Sequence, residues 1–149
     1  MYRNILLWLH IAAAGGWLGA NLVQLSVGRR LARAGGEIAA AWFDTATLLA
    51  QRYYNVVGTL LGVTGVLLVL HGGYAWTTPF VMLGLATLVV GALLGIVHFA
   101  PTGRRLAAAA RAGEDAAASS TFRAYALGAV VDTTLVLVTM LAMVSRWGA

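Results

Sequence analysis

Four long runs of apolar residues are the feature of this sequence that most constrains its fold. They cover residues 5–27, 53–73, 80–100 and 124–145, and each is almost free of charged side chains. Each run is close to the roughly 20 residues with which an α-helix crosses about 30 Å of hydrocarbon. We therefore predict an all-α integral membrane protein, a single transmembrane domain of residues 1–149 in which four helices form an up-down bundle.

The composition excludes a soluble globular domain. Hydrophobic residues make up 60% of the 149 residues and charged residues 10%, whereas soluble domains have about 45–50% and about 25%. The net charge is +5, but the cationic residues flank the apolar runs instead of forming one patch, so nucleic acid is not an expected partner. The expected partner is the lipid bilayer.

The arginines predict the orientation of the bundle. Eight of the ten lie in the loops between runs one and two and between runs three and four, and two lie near the chain ends: Arg29, Arg30, Arg33, Arg52, Arg104, Arg105, Arg111 and Arg123 against Arg3 and Arg146. Because arginine-rich loops stay on the cytoplasmic side, we expect both basic loops in the cytoplasm and both termini outside. The expected location is the bacterial inner, or plasma, membrane.

Residues 37–51 are predicted to form a further helix between the first two spans. If this segment continued unbroken into the second span, the helix would be about 54 Å long at about 1.5 Å per residue, so the segment must either lie in the interface or project into the cytoplasm. We favour the interface, where Ile38, Trp42 and Phe43 would contact lipid or protein. Residues 107–120 are predicted to be a solvated linker whose charges have no specific partner.

The strongest functional signal is Asp132, which lies about 12 Å from the start of the fourth span and therefore near the bilayer midplane. An acidic residue there is costly and is by default a hypothesis for a functional site. Its side chain must be protonated or find a polar partner. The candidate partners predict a polar path or proton relay, although simple packing explains a buried carboxyl equally well; they are Asn21, Gln24, His98 and Arg52.

The polar residues of the first span share one helical face. His10, Trp17, Asn21 and Gln24 recur at steps of three, four and seven residues, which place them on a single seam. Such a seam faces the interior of a bundle, because an unpaired polar group is costly in lipid. We therefore expect these four side chains to line the inside of the bundle.

Two histidines predict a ligand site near the outer surface. His10 lies about five residues below the outer end of the first span and His71 about two below that of the second, so their depths would differ by only about 5 Å. Neutral imidazole nitrogens ligate haem iron, and four-helix bundles build such sites between facing helices. The alternative is that His71 is an interfacial residue and His10 a hydrogen-bonded packing residue.

The segment LHIAAAGGWLG, residues 9–19, resembles the first helix of the copper-resistance protein D-type membrane domains. Its spacing from His10 to Trp17 is similar to that of the membrane-bound, haem-dependent protoporphyrinogen oxidases. The segments at residues 56–70 and 101–106 resemble a family of small bacterial integral membrane proteins. These resemblances imply a four-helix module in which His10 faces the interior and ligates haem. The oxidases also use a lysine in a later helix, which this chain lacks, and without cysteine a copper pathway is not favoured.

The leading functional hypothesis is a membrane protein that binds haem b near its outer face through His10 and His71, for electron transfer or haem-dependent redox chemistry. In that hypothesis Trp17 packs against the macrocycle. A carrier or channel for a small cation or solute, with a polar path around Asp132, is the alternative from another class. A structural membrane subunit is the third. Four short spans enclose little volume, so a homodimer or a partner membrane protein is expected under each hypothesis.

Overall fold

Long helices make up the molecule. The computed structural model describes residues 1–148, and its α-helices there are α1 (Tyr2–Arg33), α2 (Gly36–Leu48), α3 (Tyr54–Gly72), α4 (Pro79–Leu93), α5 (Ala100–Arg111) and α6 (Ser120–Val144). π-Helical segments join α2 to α3 and α4 to α5; they are Leu49–Tyr53 and Leu94–Phe99. The described residues therefore form four continuous helices, each long and apolar enough to cross a membrane. This confirms the predicted all-α fold with four spans.

Glycine and proline set the helix ends. Gly35 and Gly36 have φ angles of 69° and 50° between α1 and α2, a region that residues with a Cβ rarely adopt. Gly73, with φ 68°, caps the end of α3. Pro79 lies in the first turn of α4, where its missing N–H costs no hydrogen bond. These glycines and this proline therefore mark where the helices end or begin.

The helices form a ring in the order α1, α3, α4, α6, with α6 returning to α1. At one end the backbone N–H of Phe80 donates to the carbonyl of Trp147 at 3.4 Å, and the Tyr2 ring packs edge-on against His71. We call this the terminal end, because Tyr2 and Trp147 both lie there. The opposite end carries the two arginine-rich connections, and we call it the basic end. Its location in the cytoplasm stays a prediction.

An extension of two helices continues the bundle at the basic end. α2 packs along α5, and small or apolar side chains fill the space between them: Ala39, Ala40, Phe43, Ala46, Leu106, Ala107 and Ala110 are all buried. Gly103 permits this close approach, because a Cβ there would collide with the Thr47 hydroxyl. α2 is therefore anchored to protein along its length.

The extension corrects two expectations. The segment 37–51 does not form a separate interfacial helix, because it continues into α3 as one helix of 37 residues, Gly36–Gly72. Such a helix is about 55 Å long and exceeds the hydrocarbon thickness, so it projects beyond the span. The linker predicted at 107–120 is also partly wrong: α5 continues to Arg111, whose guanidinium pairs with Asp44 and Glu37 of α2.

Candidate functional site

Asp132 is held at the centre of the bundle by two donors from α1. It occupies the middle of α6 and is 4% exposed. Its Oδ2 accepts hydrogen bonds from Trp17 Nε1 at 2.9 Å and from Asn21 Nδ2 at 2.7 Å. Both donors are themselves buried. The seam predicted on the first span therefore faces the interior at these positions, and Asn21 is the direct partner of the carboxyl.

A chain of hydrogen bonds runs from this pair toward the basic end. Tyr54 donates its O–H to Asn21 Oδ1 at 2.5 Å, and Gln24 Nε2 donates to the Tyr54 oxygen at 2.8 Å. Tyr125 in turn donates its O–H to Gln24 Oε1 at 3.3 Å. Every donor in the chain points toward the carboxyl. We call the connected residues the Asp132 network: Trp17, Asn21, Gln24, Tyr54, Tyr125 and Asp132.

Helical spacing explains why these side chains meet. Trp17, Asn21 and Gln24 follow one another at steps of four and three on α1, so they lie on one face of that helix. Tyr125 and Asp132 are separated by about two turns on α6, which puts them on one face about 10 Å apart. The two faces are antiparallel neighbours, so the hydroxyl and the carboxyl of α6 meet the amides of α1 at matching depths.

Gly91 makes the space that the carboxyl and the indole occupy. A Cβ at this position would lie 2.5 Å from the Trp17 ring and 3.3 Å from Asp132 Oδ1. Any larger residue on α4 would therefore push the indole away from the carboxyl. Gly91 thus admits a side chain from α1 at this level of the bundle.

A small cavity lies beside the free oxygen of the carboxyl. Within residues 1–148, Asp132 Oδ1 is the only buried side-chain nitrogen or oxygen without a hydrogen-bond partner. The cavity measures about 30 Å³, and its lining includes Gln24, Tyr54, Tyr125 and Asp132. A water molecule needs roughly 10–15 Å³ by this measure and two to four polar partners. The cavity therefore has the size to hold water among these side chains.

Neutral donors alone surround the carboxyl. In the described part of the chain, the ion pairs involve Arg111 with Glu37 and Asp44, and none involves Asp132. Both hydrogen bonds to the carboxyl use Oδ2, so Oδ1 has no donor in the described residues. The carboxyl is thus held through one oxygen only.

The hydrogen bonds that start at Asp132 do not continue to the terminal end in the described residues. Between Asp132 and the terminal end, the hydroxyls of Thr87 and Thr139 share a hydrogen bond of 2.6 Å across α4 and α6. Both threonines are buried. The polar connections of Asp132 thus extend toward the basic end only.

Two of the predicted path residues are not part of the network. His98 donates from Nε2 to the carbonyl of Ala124 at 3.1 Å, and its ring stacks on Tyr125 with 6.5 Å between centroids. It adjoins the network without a hydrogen bond to it. Arg52 is exposed and is not an ion-pair partner of Asp132. Tyr54 and Tyr125 take the places that were predicted for these two residues. Their hydroxyls are uncharged, so the intramembrane charges in the sequence did not indicate them.

His10 on α1 and His71 on α3 lie on neighbouring helices, but at different depths along the bundle. His10 Nδ1 is 2.9 Å from the Thr64 hydroxyl, while His71 is exposed and contacts Tyr2. Thr64 and His71 are two turns apart on α3, so the imidazoles are separated by about 10 Å along the bundle. The structure does not bring them together.

This separation does not fit a shared metal ion. Two imidazole ligands place their nitrogens about 2 Å from the metal, as in zinc sites. Within residues 1–148 no group of three or more His, Cys, Asp and Glu side chains is arranged to hold a metal ion. Ligation of one haem iron by both His10 and His71 would therefore require the helices to shift. The haem prediction retains support at His10 alone.

His10 has an orientation that a single-ligand site would use. Thr64 donates its hydroxyl hydrogen to the carbonyl of Leu60 at 2.6 Å, so its oxygen accepts from His10 Nδ1. The neutral ring then carries no proton on Nε2. A metal-binding histidine is typically fixed in this way by a partner on its other nitrogen.

Comparisons of the chain with protein-family models, with curated proteins and with solved structures found no match. The resemblance to copper-resistance protein D-type domains and to the haem-dependent oxidases therefore stays a prediction based on short motifs. The Asp132 network and His10 are the features of the molecule that bear on its function.

Proposed function

We propose that this protein is a small membrane carrier in which Asp132 takes up and releases a proton, coupled to the movement of a small cation or polar solute. The proton enters from the basic end, which the arginine distribution assigns to the cytoplasm. The observation that carries the proposal is the buried, unpartnered Oδ1 of Asp132, a residue that also lines a small cavity at the middle of the bundle. Ionisable groups at this depth typically mark ion and proton pathways.

The side chains of the network have separate tasks. Asn21 and Trp17 hold Oδ2 and keep the carboxyl plane fixed in both protonation states. Amides do not readily pass protons on, so Asn21 and Gln24 anchor the path and water in the cavity carries the proton. Hydronium then gives its proton to Oδ1 and leaves as water, which converts the carboxylate to the acid. Tyr125 lies at the entrance, where its hydroxyl can orient that water.

A carrier fits the geometry better than an open channel. The polar path ends at Asp132, and the hydrogen-bonded pair Thr87 and Thr139 lies between it and the terminal end. A permanently open pore would need polar groups and water through both halves of the bundle. Protonation removes the charge at the centre, and a neutral centre makes movement of α4 against α6 less costly. Release at the far side would then require this pair to separate.

Infrared spectroscopy of the reconstituted protein tests proton binding directly. We expect a carboxylic C=O stretching component in acidic buffer that is missing from Asp132→Asn, beside the bands of the four exposed acidic residues, which both proteins share. The matched control is Thr133→Val, which removes a neighbouring hydroxyl that bonds only to the Ala129 carbonyl of its own helix. That control should keep the band. A band of equal size in Asp132→Asn would contradict proton binding at this residue.

Proton flux tests transport. Proteoliposomes with an internal pH dye should acidify in response to an imposed potential, and Asp132→Asn should lower the rate at least about tenfold, because the only buried proton acceptor in the path is gone. Thr133→Val should transport at the rate of the unmodified protein. Flux that survives Asp132→Asn unchanged would exclude the carrier proposal.

A second candidate is a haem b site with His10 as its single axial ligand, for electron transfer or haem-dependent redox chemistry. The supporting observation is the Thr64 hydrogen bond, which leaves Nε2 of His10 free. Haem-replete expression followed by absorption spectroscopy tests it. A Soret band that is present in the unmodified protein and in His71→Ala, but absent in His10→Ala, would support single ligation; an unchanged band in His10→Ala would overturn it.

A further inference from the structure

A groove opens to the lipid between α3 and α4, on the side of the bundle away from α6. Its volume is about 310 Å³, and Trp17 and Tyr54 form its floor. Glycines keep the walls low: Gly58, Gly91 and Gly95 all line it. Side chains that project further flank the groove on the lipid-facing surface, such as Ile96, which is 69% exposed. The groove is thus a narrow depression in the surface, and large apolar side chains border it.

The groove has one closed end and one charged end. Toward the terminal end α3 and α4 come together, since a Cβ on Gly62 would lie 3.1 Å from the Leu88 side chain. Toward the basic end the lining reaches Arg104. From Leu88 to Arg104 the helix rises about 24 Å. This is close to half the thickness of a bilayer with its headgroups, about 40–45 Å in total, so the groove has the length of one lipid leaflet.

Arg104 has no acidic partner in the described residues. The ion pairs there use Arg111, and Arg104 is exposed at the mouth of the groove. A guanidinium binds phosphate oxygens through two parallel hydrogen bonds, which makes it well suited to a phospholipid headgroup. The cytoplasmic leaflet, where the basic end is predicted to lie, is also the leaflet with an anionic surface.

We propose that this groove binds one anionic phospholipid, with its phosphate at Arg104 and one acyl chain along Gly95, Gly91 and Gly58. Charge complementarity and length select this occupant. The bound chain would cover the outer faces of Trp17 and Tyr54, which carry the Asp132 network on their inner side.

Native mass spectrometry of the purified full chain tests the proposal. The probes are phosphatidylglycerol and phosphatidylcholine with identical acyl chains, and glycerol phosphate as a headgroup without chains. We expect the unmodified protein to retain phosphatidylglycerol about tenfold more strongly than phosphatidylcholine, the size of one charge-assisted contact. Glycerol phosphate alone should not displace it.

Paired variants separate the two ends of the groove. Arg104→Gln should remove the preference for phosphatidylglycerol, while Arg105→Gln, which alters the next exposed arginine outside the lining, should keep it. Ala92→Phe fills the groove and should lower retention of both lipids at least about tenfold. Leu93→Phe is its control, because Leu93 is exposed but does not line the groove.

Three results would overturn the proposal. Equal effects of Arg104→Gln and Arg105→Gln would show that the basic end attracts anionic lipid only in a diffuse manner. Retention that is unchanged in Ala92→Phe would show that no acyl chain lies in the groove. Because the chain has no cysteine, Ala92→Cys provides a clean third test: disulfide-linked dimers in native membranes would identify a second copy of the protein as the occupant.

Discussion

The α2–α5 extension and the Asp132 network deal with charge in opposite ways. In the extension, the core is alanine, phenylalanine and leucine, and the charged groups stay outside: the side chains of Arg111, Asp44 and Glu37 are 46%, 48% and 79% exposed. In the network, a carboxyl is buried at mid-bundle and surrounded by neutral donors. The first arrangement is what packing alone produces, and the second is costly in lipid.

This difference suggests which residues serve stability and which serve function. A buried carboxyl contributes less to stability than a well-packed apolar side chain of similar size. Its presence in the bundle, with five residues arranged around it, therefore calls for a role that stability does not supply. Tyr125 connects the two regions, because its ring packs edge-on against Phe43 while its hydroxyl bonds to Gln24.

The largest expected effect is on stability and lies in the extension. Leu106 is 1% exposed between α2 and α5, so Leu106→Ala should lower the free energy of unfolding in detergent by about 2–5 kcal/mol. The remaining folded protein should keep the carboxylic infrared band of Asp132. Leu48→Ala, at a residue of α2 that is 54% exposed, is the control and should change little. Loss of the band in folded Leu106→Ala would show that the two regions are not separate.

Breaking the network at Asn21 should have a smaller effect on stability and a larger one on function. Asn21→Leu removes the donor to Asp132 Oδ2 and the acceptor for Tyr54. Leaving these buried groups unpaired costs about 1–3 kcal/mol in unfolding free energy. Because the carboxyl loses one of the two donors that orient it, proton flux in proteoliposomes should fall, and the infrared band should move to higher wavenumber. Asn55→Leu is the matched control, since this amide is exposed and bonds only to the backbone of Gln51.

Sequence reasoning found the centre of the candidate site but not its full extent. The spans and the seam on α1 could be predicted because helical periodicity and hydrophobic length are local properties of the chain. Asn21 could be predicted only as one of four candidate partners of Asp132, because polar side chains within a span must avoid lipid. Tyr54 was passed over because tyrosines near a span end are expected at the interface. The feature that could have indicated Tyr54 was its position, about half a turn inside the predicted second span.

The histidine pair failed for a different reason. Depths counted from the ends of the apolar runs predicted a difference of about 5 Å, whereas the contacts of His10 and His71 imply about 10 Å. The axial register between α1 and α3 is set by side-chain contacts such as His10 with Thr64. Hydrophobic length does not encode these contacts. The α2–α5 pairing was missed likewise, because it joins segments that are distant in the chain and the alanines that mediate it carry little signal of their own.

Replacing the indole donor offers a finer test of how the carboxyl is held. Trp17→Phe keeps an aromatic ring in the space beside Gly91 but removes the hydrogen bond to Asp132 Oδ2. We expect a loss of about 0.6–1.7 kcal/mol in unfolding free energy, the range of hydrogen bonds within membranes. The carboxylic band should move to higher wavenumber, because the C=O oxygen then has one donor instead of two. An unmoved band would mean that the proton lies on Oδ2 and that the assignment of Oδ1 is wrong.

The smallest effect on stability is expected for the exposed ion pairs of the extension. Arg111→Gln removes the contacts with Asp44 and Glu37, yet exposed ion pairs gain little because water and salt screen them. The thermal midpoint of unfolding in detergent should therefore stay within experimental error at physiological salt, and the infrared band should be unchanged. Leu106→Ala, measured beside it, shows that the assay detects losses in the extension. A large destabilisation by Arg111→Gln at physiological salt that disappears at high salt would mean that the ion pairs, and not the alanine packing, hold α2 against α5.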